Sequence, residues 1–459
     1  MRAIYLVPLL ILSFLGQASA AEAVAELVKP NLLVEVRETA LKSDQAYAIL
    51  ESLTTDVGQR LAGSANDAKA VAWAKAKFTE LGFDRVYTEP VRYPVWTRGE
   101  ESLVSVSPSI HQFSVAALGG SMGTGARGIE AEVLQFSDFK SLSEAAPGSA
   151  TGRIVFINYQ MLRARDGSGY GSAVISRVAG ASAAAKLGAR AIIIRSIGTD
   201  QTRNPHTGVM RYDNTPTRIP AAAIGNVDAD LLAKLIKRGK PVTLKLQLGA
   251  RTPKGEYVGA NVIGEITGAR KPTEIVAIGG HLDSWDLGTG AIDDGAGVAI
   301  TMSAAALIGA QATPPKRTIR VVLFANEEQG IYGGKAYAAA RVQANEVLQH
   351  VIAAESDFGA GRIYSLKTRL SEARLSGLTP LLRELAPLGI SLGANDAGGG
   401  PDFGPMMEAG APVADLKQDG TKYFDIHHTA SDTIDQVDTE DLKQNVAAYA
   451  VFARFFADE

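Results

Sequence analysis

The stretch 279–298, GGHLDSWDLGTGAIDDGAGV, decides how this sequence is interpreted. It sets His281, then a carboxylate two residues later at Asp283, and then a carboxylate pair that begins at Asp293. Imidazole and carboxylate in this density suit zinc better than magnesium or calcium, which prefer shells made only of oxygen. The stretch therefore predicts a metal site.

Further candidate ligands follow in three short motifs downstream. These are the glutamate pair Glu327–Glu328 in NEE, Asp357 in ESD and His428 in HHTASDT. Together with His281 and Asp293, the set supplies five ligands and one spare glutamate, which is the inventory of a two-metal hydrolase. We expect two zinc ions.

Three of these motifs follow predicted buried strands. His281 follows a strand at 275–278, the glutamate pair follows 318–324, and Asp357 follows 351–354. In open α/β sheets ligands gather outside the carboxyl ends of the strands, so these side chains should meet at one edge.

Local geometry assigns a role to each side chain. Residues two apart in extended chain share a face, so Asp283 can reach back to the second ring nitrogen of His281. Asp293 begins a helix and can bridge two cations through its two oxygens. Adjacent glutamates diverge, so one of Glu327 and Glu328 can bind metal while the other serves as general base.

Each motif taken alone also has an ordinary structural explanation. A His-x-Asp can be a surface pair, Asp-Asp-Gly a turn or helix cap, and Glu-Glu a solvated helix face. The joint order and placement at strand ends favour the functional reading. Of the neighbouring histidines, His428 is the better ligand and His427 lines the pocket, whereas His206, in an Asn-Pro-His loop, reads as a surface residue.

Composition limits the class of protein. Residues 1–20 combine Arg2, an apolar run and Ala18-Ser19-Ala20, the pattern of a cleaved signal peptide, so we expect an exported chain, periplasmic or secreted. No later run predicts stable membrane insertion. Cysteine is absent, which excludes disulfides and thiol chemistry. The net charge of −3, without a basic stripe, argues against nucleic acid as a partner.

Alternating strands and helices predict an α/β fold with a mostly parallel central sheet flanked by helices. The pattern is interrupted in the middle of the chain. We predict a first peptidase-type segment at 21–104, an inserted α/β domain at 105–253, which carries almost no candidate catalytic groups, and a second segment with the metal site at 254–459.

These motifs closely resemble those of the zinc-dependent co-catalytic exopeptidases related to bacterial leucyl aminopeptidase, and among them the carboxypeptidase Q group (plasma glutamate carboxypeptidase). The similarity covers nearly the whole chain after residue 20, and Asn326 replaces the alanine usual before the glutamate pair. The resemblance implies a zinc exopeptidase fold, a protease-associated domain as the insert, a cis peptide between Asp293 and Asp294, and a homodimer.

The resemblance also implies how the residues divide. One zinc would be held by His281, Asp293 and Asp357 and the other by Asp293, Glu328 and His428. Glu327 would be the general base and Asp283 the partner of His281.

The expected activity is hydrolysis of short peptides, above all unblocked dipeptides, by a water shared between the metals. Tyr423 resembles a tyrosine that could donate to the oxyanion, and Asp402 in GGGPDF could receive a free α-amino group. The alternatives are an aminopeptidase acting on longer peptides, a one-zinc glutaminyl cyclase-like enzyme, and a non-catalytic binding protein. The full ligand set disfavours the last two.

Overall fold

The computed structural model describes residues 31–214 and 217–459, so the predicted signal peptide at 1–20 lies outside the described residues. Two eight-stranded sheets and the helices packed on them organise this part of the chain. The strands are, in chain order, β1 Arg85–Pro94, β2 Glu101–Ser107, β3 His111–Phe113, β4 Val115–Ala117, β5 Ile129–Phe136, β6 Ile154–Ile157, β7 Ala191–Arg195, β8 Ala221–Ile224, β9 Thr243–Leu248, β10 Glu256–Ile266, β11 Lys271–His281, β12 Arg317–Phe324, β13 His350–Glu355, β14 Ile363–Arg369, β15 Ser391–Leu392 and β16 Val413–Gln418.

The α-helices of five or more residues cover both sheets. They are Leu32–Ala40, Gln45–Ser52, Ala65–Glu80, Phe139–Ser143, Ser168–Lys186, Asn226–Lys237, Ala296–Gly309, Tyr332–Ala344, Glu372–Ser376, Thr379–Leu385, Gly404–Glu408 and Thr439–Asp458. Ser64 caps Ala65–Glu80 by accepting the Asp67 N–H, as the sequence predicts. The predicted α/β class is confirmed.

The first sheet is mixed, in the order β1-β10-β12-β11-β13-β16-β14-β15. Its three central pairings and the edge pair β14–β15 are parallel, whereas β1, β10 and β14 each run antiparallel to a neighbour, so the expected parallel pairing holds for four of the seven pairings. Chain length explains the departure. Only residues 267–270 link β10 to β11, and a parallel crossover needs about a dozen residues or more.

The second sheet is built from residues 101–248, in the order β3-β2-β9-β5-β6-β7-β8-β4. Its strands β5, β6, β7 and β8 are parallel, with the helix Ser168–Lys186 between β6 and β7. We call this part of the chain the inserted lobe. It overlaps residues 105–253, where the sequence predicts the insert; the domain bounds and the identity as a protease-associated domain stay predictions.

The core is continuous between the two sheets. Trp285, four residues after the end of β11, packs among the buried side chains of the inserted lobe, and Arg98 pairs with Asp286 at 2.7 Å. The stretch Ala291–Gly309 has the length and hydropathy of a membrane-spanning helix, yet 94% of it is buried inside the structure. It is a buried core segment in which Asp293 lies just before the helix Ala296–Gly309.

Candidate metal centre

The five candidate ligands converge at the carboxyl edge of the first sheet. His281 is the last residue of β11, Glu328 lies four residues after β12, and Asp357 lies two residues after β13. Asp293 precedes the helix Ala296–Gly309, and His428 follows the short helix Tyr423–Ile426. The strand-end argument from sequence thus matches where the structure places these side chains.

The ligands form two groups that share Asp293. His281 Nε2 lies 3.1 Å from Asp293 Oδ1 and 3.5 Å from Asp357 Oδ1. On the other side, His428 Nε2 lies 3.0 Å from Asp293 Oδ2 and 3.0 Å from Glu328 Oε2. Each oxygen of Asp293 therefore faces a different histidine, and ligand atoms of His281, Asp293 and Glu328 also lie within 4.8 Å of one another.

These separations fit zinc. Ligands bound at about 2.0–2.1 Å to one tetrahedral ion lie about 3.3 Å apart. Asp293 Oδ2 and Glu328 Oε1 are buried and make no hydrogen bond to any described residue. Buried acceptors are rarely left without a partner, so a cation is the natural complement of both atoms. Asp294 and His427 also lie close enough to join ligand clusters.

Both ligand histidines are oriented through the backbone. His281 Nδ1 donates to the Asp283 carbonyl at 3.0 Å, and His428 Nδ1 donates to the Thr207 carbonyl of the inserted lobe at 3.2 Å. A proton on Nδ1 leaves the lone pair of Nε2 directed at the carboxylates. Such carbonyl partners are the usual way to fix a metal-binding tautomer.

The Asp283 side chain does more than the sequence suggests. Its carboxylate lies 3.5 Å from His281 Nδ1, farther than its own carbonyl. The two oxygens instead accept the N–H groups of Glu327 at 2.9 Å and Glu328 at 3.3 Å. Asp283 therefore connects the loop of His281 with the loop of the glutamate pair.

Two residues of the site adopt left-handed backbone conformations. Asn326 has φ 51° and His428 has φ 62°. Asparagine tolerates this region better than most residues, which gives the Asn326 substitution a physical reason, and its Oδ1 accepts the Gln329 N–H at 3.3 Å. The Asp293–Asp294 peptide is cis, as the resemblance implies.

Arg60 and Asp294 hold the loops of the site in place, and the sequence reasoning missed both. Arg60 is fully buried and donates to the carbonyls of Leu282, Thr289 and Gly290. Asp294 Oδ2 accepts the His281 N–H at 3.0 Å. A Cβ at Gly280 would lie 2.4 Å from that oxygen, which accounts for glycine before the histidine.

Burial makes the site electrostatically unfavourable for three of its carboxylates, whereas the two histidines that contact Asp293 lower the pKa of that carboxyl group. Burial, with Asp293 nearby, raises the pKa of Glu328 to about 7, and burial with neighbouring carboxylates raises the pKa values of Glu327 and Asp357. A divalent cation held by the ligand carboxylates would relieve this repulsion, because it would supply positive charge among them.

Asp402 is fully buried beside a second carboxylate, Glu355, which the sequence reasoning did not select. Asp402 Oδ1 accepts the Gly334 N–H at 2.9 Å, and Glu355 Oε2 accepts the Asp402 N–H at 2.8 Å. Asp402 Oδ2 and Glu355 Oε1 have no hydrogen-bond partner among the described residues. Burial raises the pKa of Asp402 to about 8. The pair offers two free acceptors to a cationic group.

His427 and Tyr423 form an aromatic wall next to the ligands. The His427 ring stacks on that of His428 with centroids 3.5 Å apart, and Tyr423 lies 4.9 Å from His427. A cavity of about 730 Å³ borders Tyr423 and is lined by Ile292 and Phe358 among others, and its lining includes neither His427 nor any of the five candidate ligands.

The inserted lobe supplies side chains to the site, contrary to the expectation from sequence. Tyr170 and Arg177 lie on the helix Ser168–Lys186, and the Tyr170 ring packs edge-on against His427. His206 is 1% exposed and pairs with Asp200 at 2.9 Å, so its assignment to the surface was wrong. The sequence offered one signal for this contribution of the inserted lobe. Tyr170 and Arg177 lie two helical turns apart in a helix of mostly small residues.

Comparisons with known proteins agree with this geometry. A family model described as peptidase family M28 matches residues 261–453. Carboxypeptidase Q from Homo sapiens is 36% identical, over 90% of this chain and 86% of the relative. The crystal structure of a peptidase M28 precursor from Shewanella amazonensis is 49% identical, with a TM-score of 0.91, over 96% of this chain and 97% of that chain. A zinc aminopeptidase from Bacillus subtilis has a TM-score of 0.64 at 20% identity, over 89% and 94% of the two chains, and so shares the fold.

Proposed function

The chain belongs to peptidase family M28 and is a peptidase, and we propose that it is a two-zinc exopeptidase that cleaves unblocked dipeptides. The observation that carries the proposal is the shared carboxylate. Asp293 presents one oxygen to His281 and the other to His428, at 3.1 Å and 3.0 Å. A site for a single ion would not need each oxygen of Asp293 to face a different histidine.

The residues that would hold zinc fall into the two groups already described. His281, Asp293 and Asp357 would hold one ion, and Asp293, Glu328 and His428 the other. When bound, zinc polarises a carbonyl and lowers the pKa of water. Zinc is the preferred metal because each group joins one imidazole to two carboxylates.

Glu327 is the proposed general base. Its N–H is held by Asp283, and its pKa is raised by burial and by Asp357. A carboxylate of raised pKa can take a proton from the attacking water and release it again. The hydroxyl forms the new C–O bond, the C–N bond breaks, and the proton passes from Glu327 to the leaving amine.

Asp402 and Glu355 are proposed to receive the free α-ammonium of the substrate. Both are buried, and each keeps one oxygen without a partner among the described residues. An ammonium there would satisfy both acceptors and stabilise the charged forms of these two carboxyl groups, whose pKa values burial raises. Blocking it with an acetyl group would leave these carboxylates unpaired, a loss of about 2–5 kcal/mol.

Tyr423 and His427 complete the proposed substrate site. Burial raises the pKa of Tyr423 well above its usual value, so the phenol keeps its proton and can donate to the oxyanion. The cavity that borders Tyr423 and Phe358 offers apolar surface for a substrate side chain.

The inserted lobe favours short substrates over long ones. Tyr170 touches His427, and the Thr207 carbonyl binds the ring of His428, so this lobe borders one side of the ligands directly. An aminopeptidase acting on longer peptides is the second candidate, and the more distant aminopeptidase fold supports it. The remaining alternatives, a one-zinc cyclase and a binding protein, fit less well because both ligand groups are complete.

Export and dimer formation belong to the same proposal. Residues 1–20 carry the pattern of a signal peptide, and we expect the mature chain in the periplasm or outside the cell. We expect a homodimer from the resemblance alone.

A substrate panel tests the proposal. The zinc-loaded protein should cleave free dipeptides, should fail on their N-acetyl forms, and should cleave longer peptides more slowly. Chelation should abolish hydrolysis, and added zinc should restore it. Efficient cleavage of acetylated dipeptides, or a preference for long peptides, would contradict the dipeptidase assignment.

A further inference from the structure

Arg98 lies in the connection from β1 to β2, where the chain leaves the first sheet for the inserted lobe. The residue is buried, and its guanidinium pairs with Asp286, in the loop after β11, at 2.7 Å. Within the inserted lobe it donates to the Ala117 carbonyl at 2.7 Å and to the Thr207 hydroxyl at 3.1 Å. One side chain thus binds the loop after β11 on one side and the inserted lobe on the other.

The connection that returns from the lobe runs beside the first one. Thr97 and Arg251 exchange two backbone hydrogen bonds, each of 2.9 Å. Gly99 has φ 76°, and a Cβ there would lie 2.7 Å from the Gly249 carbonyl oxygen, so the two backbones touch. Because the lobe is attached by this one narrow pair, its orientation over the metal site depends on side-chain contacts such as those of Arg98.

Thr207 is the point at which the lobe reaches a metal ligand. Its carbonyl accepts from His428 Nδ1 at 3.2 Å, and its N–H donates to the His428 carbonyl at 3.1 Å. His428 has φ 62°, a conformation that persists only where the surrounding structure holds it. The Thr207 hydroxyl donates to Ala117 and accepts from Arg98, so Arg98 fixes the residue that fixes His428.

The other partner of Arg98 adjoins the same ligand. Asp286 receives both Nε and Nη2 of the guanidinium, at 2.9 Å and 2.7 Å. The residue before it, Trp285, packs edge-on against the His428 ring with centroids 5.8 Å apart. Arg98 is therefore linked to His428 by two routes, the hydrogen bonds of Thr207 and the ring of Trp285.

We propose that Arg98 is a positioning residue for the ligand His428, because it holds the inserted lobe where Thr207 fixes the ring and backbone of that histidine. This role rests on the proposed function, since it assigns Arg98 to one of the two ligand groups. The ring of His281, in the other group, is held by the Asp283 carbonyl, outside the lobe. Loss of Arg98 should weaken zinc binding by the group of His428 and spare the group of His281.

Zinc affinity in two single-site backgrounds tests this role. Asp357→Ala should leave one ion with His428, and Glu328→Ala should leave one ion with His281. Arg98→Gln should weaken the remaining ion about 10-fold or more in the first background and less than about threefold in the second. Competition with a chelator measures both affinities, and thermal unfolding of the metal-free variants is the folding control.

Substitution of Thr207 tests whether Arg98 acts through it. Thr207→Val keeps the carbonyl and loses the hydroxyl, so it should reproduce the effect of Arg98→Gln, whereas Thr207→Ser should bind zinc like wild type. Since both substitutions break one contact, their combination should weaken zinc by less than about threefold beyond the stronger single variant. Arg98→Lys, which keeps the charge, should restore part of the affinity. Arg92→Gln, an exposed arginine of β1, is the matched control and should change nothing.

The outcomes separate this inference from the proposed function. Equal weakening in both backgrounds, or additive effects of Arg98→Gln and Thr207→Val, would show a general role in folding and overturn the positioning role, while the two-zinc proposal stands. A wild type that holds one ion overturns the two-zinc proposal, and the positioning role then survives only if Arg98→Gln weakens that ion about 10-fold or more. Should Arg98→Gln not fold, Thr207→Val against Thr207→Ser in the two backgrounds decides the question.

Discussion

Asp283 accepts the backbone N–H of Glu327 at 2.9 Å, so the residue next to the His281 loop fixes the position of the proposed base. One carboxylate thereby couples the end of β11 to the loop after β12. This coupling predicts that substitution of Asp283 weakens zinc binding, whereas substitution of Glu327 leaves the zinc content unchanged.

Glu327→Gln should separate base from ligand. The amide keeps the size of the side chain and cannot take a proton, so turnover should fall about 100-fold or more while zinc content stays at the wild-type level. Steady-state kinetics and metal analysis on the same preparation test this. Loss of zinc from the variant would show that Glu327 is a ligand.

Asp283→Asn should weaken both metal binding and turnover. Asparagine has only one acceptor oxygen for the N–H groups of Glu327 and Glu328. Its NH2 group would face the second N–H, donor against donor, so the loop that carries the glutamates should shift. Removing a partner of this kind typically costs 10–100-fold in metal affinity or activity. Competition with a chelator measures the affinity. Unchanged zinc affinity together with unchanged turnover would contradict this role.

Asp293→Ala should behave differently from Asp357→Ala. The first removes a ligand common to both groups and should lose both ions, whereas the second should lose one. Thermal unfolding with and without zinc provides the folding control. Equal zinc content in the two variants would rule out the shared carboxylate.

His350 should make the stability of the metal-free protein depend on acid pH. Its Nε2 contacts the Tyr337 hydroxyl at 2.7 Å, and burial, with Arg320 nearby, lowers its pKa to about 3. The unfolded chain binds this proton near pH 6.5 and the folded chain does not until about pH 3. As the pH is lowered from about 6.5 to about 3, the free energy of unfolding should therefore fall by up to about 1.4 kcal/mol for each pH unit.

His350→Gln should remove that contribution. Urea unfolding at pH 6, 5 and 4, in chelator to exclude effects of zinc release, should give a shallower slope for the variant. Parallel slopes for wild type and variant would show that His350 titrates normally in the folded state.

The sequence predicted the features that depend on local pattern. Buried strands and the polar residues directly after them located His281, Glu328 and Asp357 at one sheet edge, because that edge follows from strand direction alone. The antiparallel pairing of β1, β10 and β12 was not predicted, because hydrophobic periodicity does not indicate strand direction. It follows from the four-residue link between β10 and β11, which reverses the direction of the chain.

The contributions of the inserted lobe could not be predicted in the same way. Arg177 and Thr207 reach the site through contacts between residues more than 200 positions apart in the chain, such as that of the Thr207 carbonyl with His428. Local spacing carries no information on which surfaces of two lobes meet. His206 was misjudged for a different reason: it pairs with Asp200, only six residues earlier, and an Asn-Pro-His pattern does not reveal that the loop is buried.

The zinc stoichiometry of the purified chain tests the central claim most directly. Protein stripped with chelator, reloaded with excess zinc and dialysed should retain two ions per chain, because Asp293 completes both ligand groups. Activity should rise to its full value only as the second ion binds. A reproducible limit of one ion per chain, with full activity, would contradict the two-metal account.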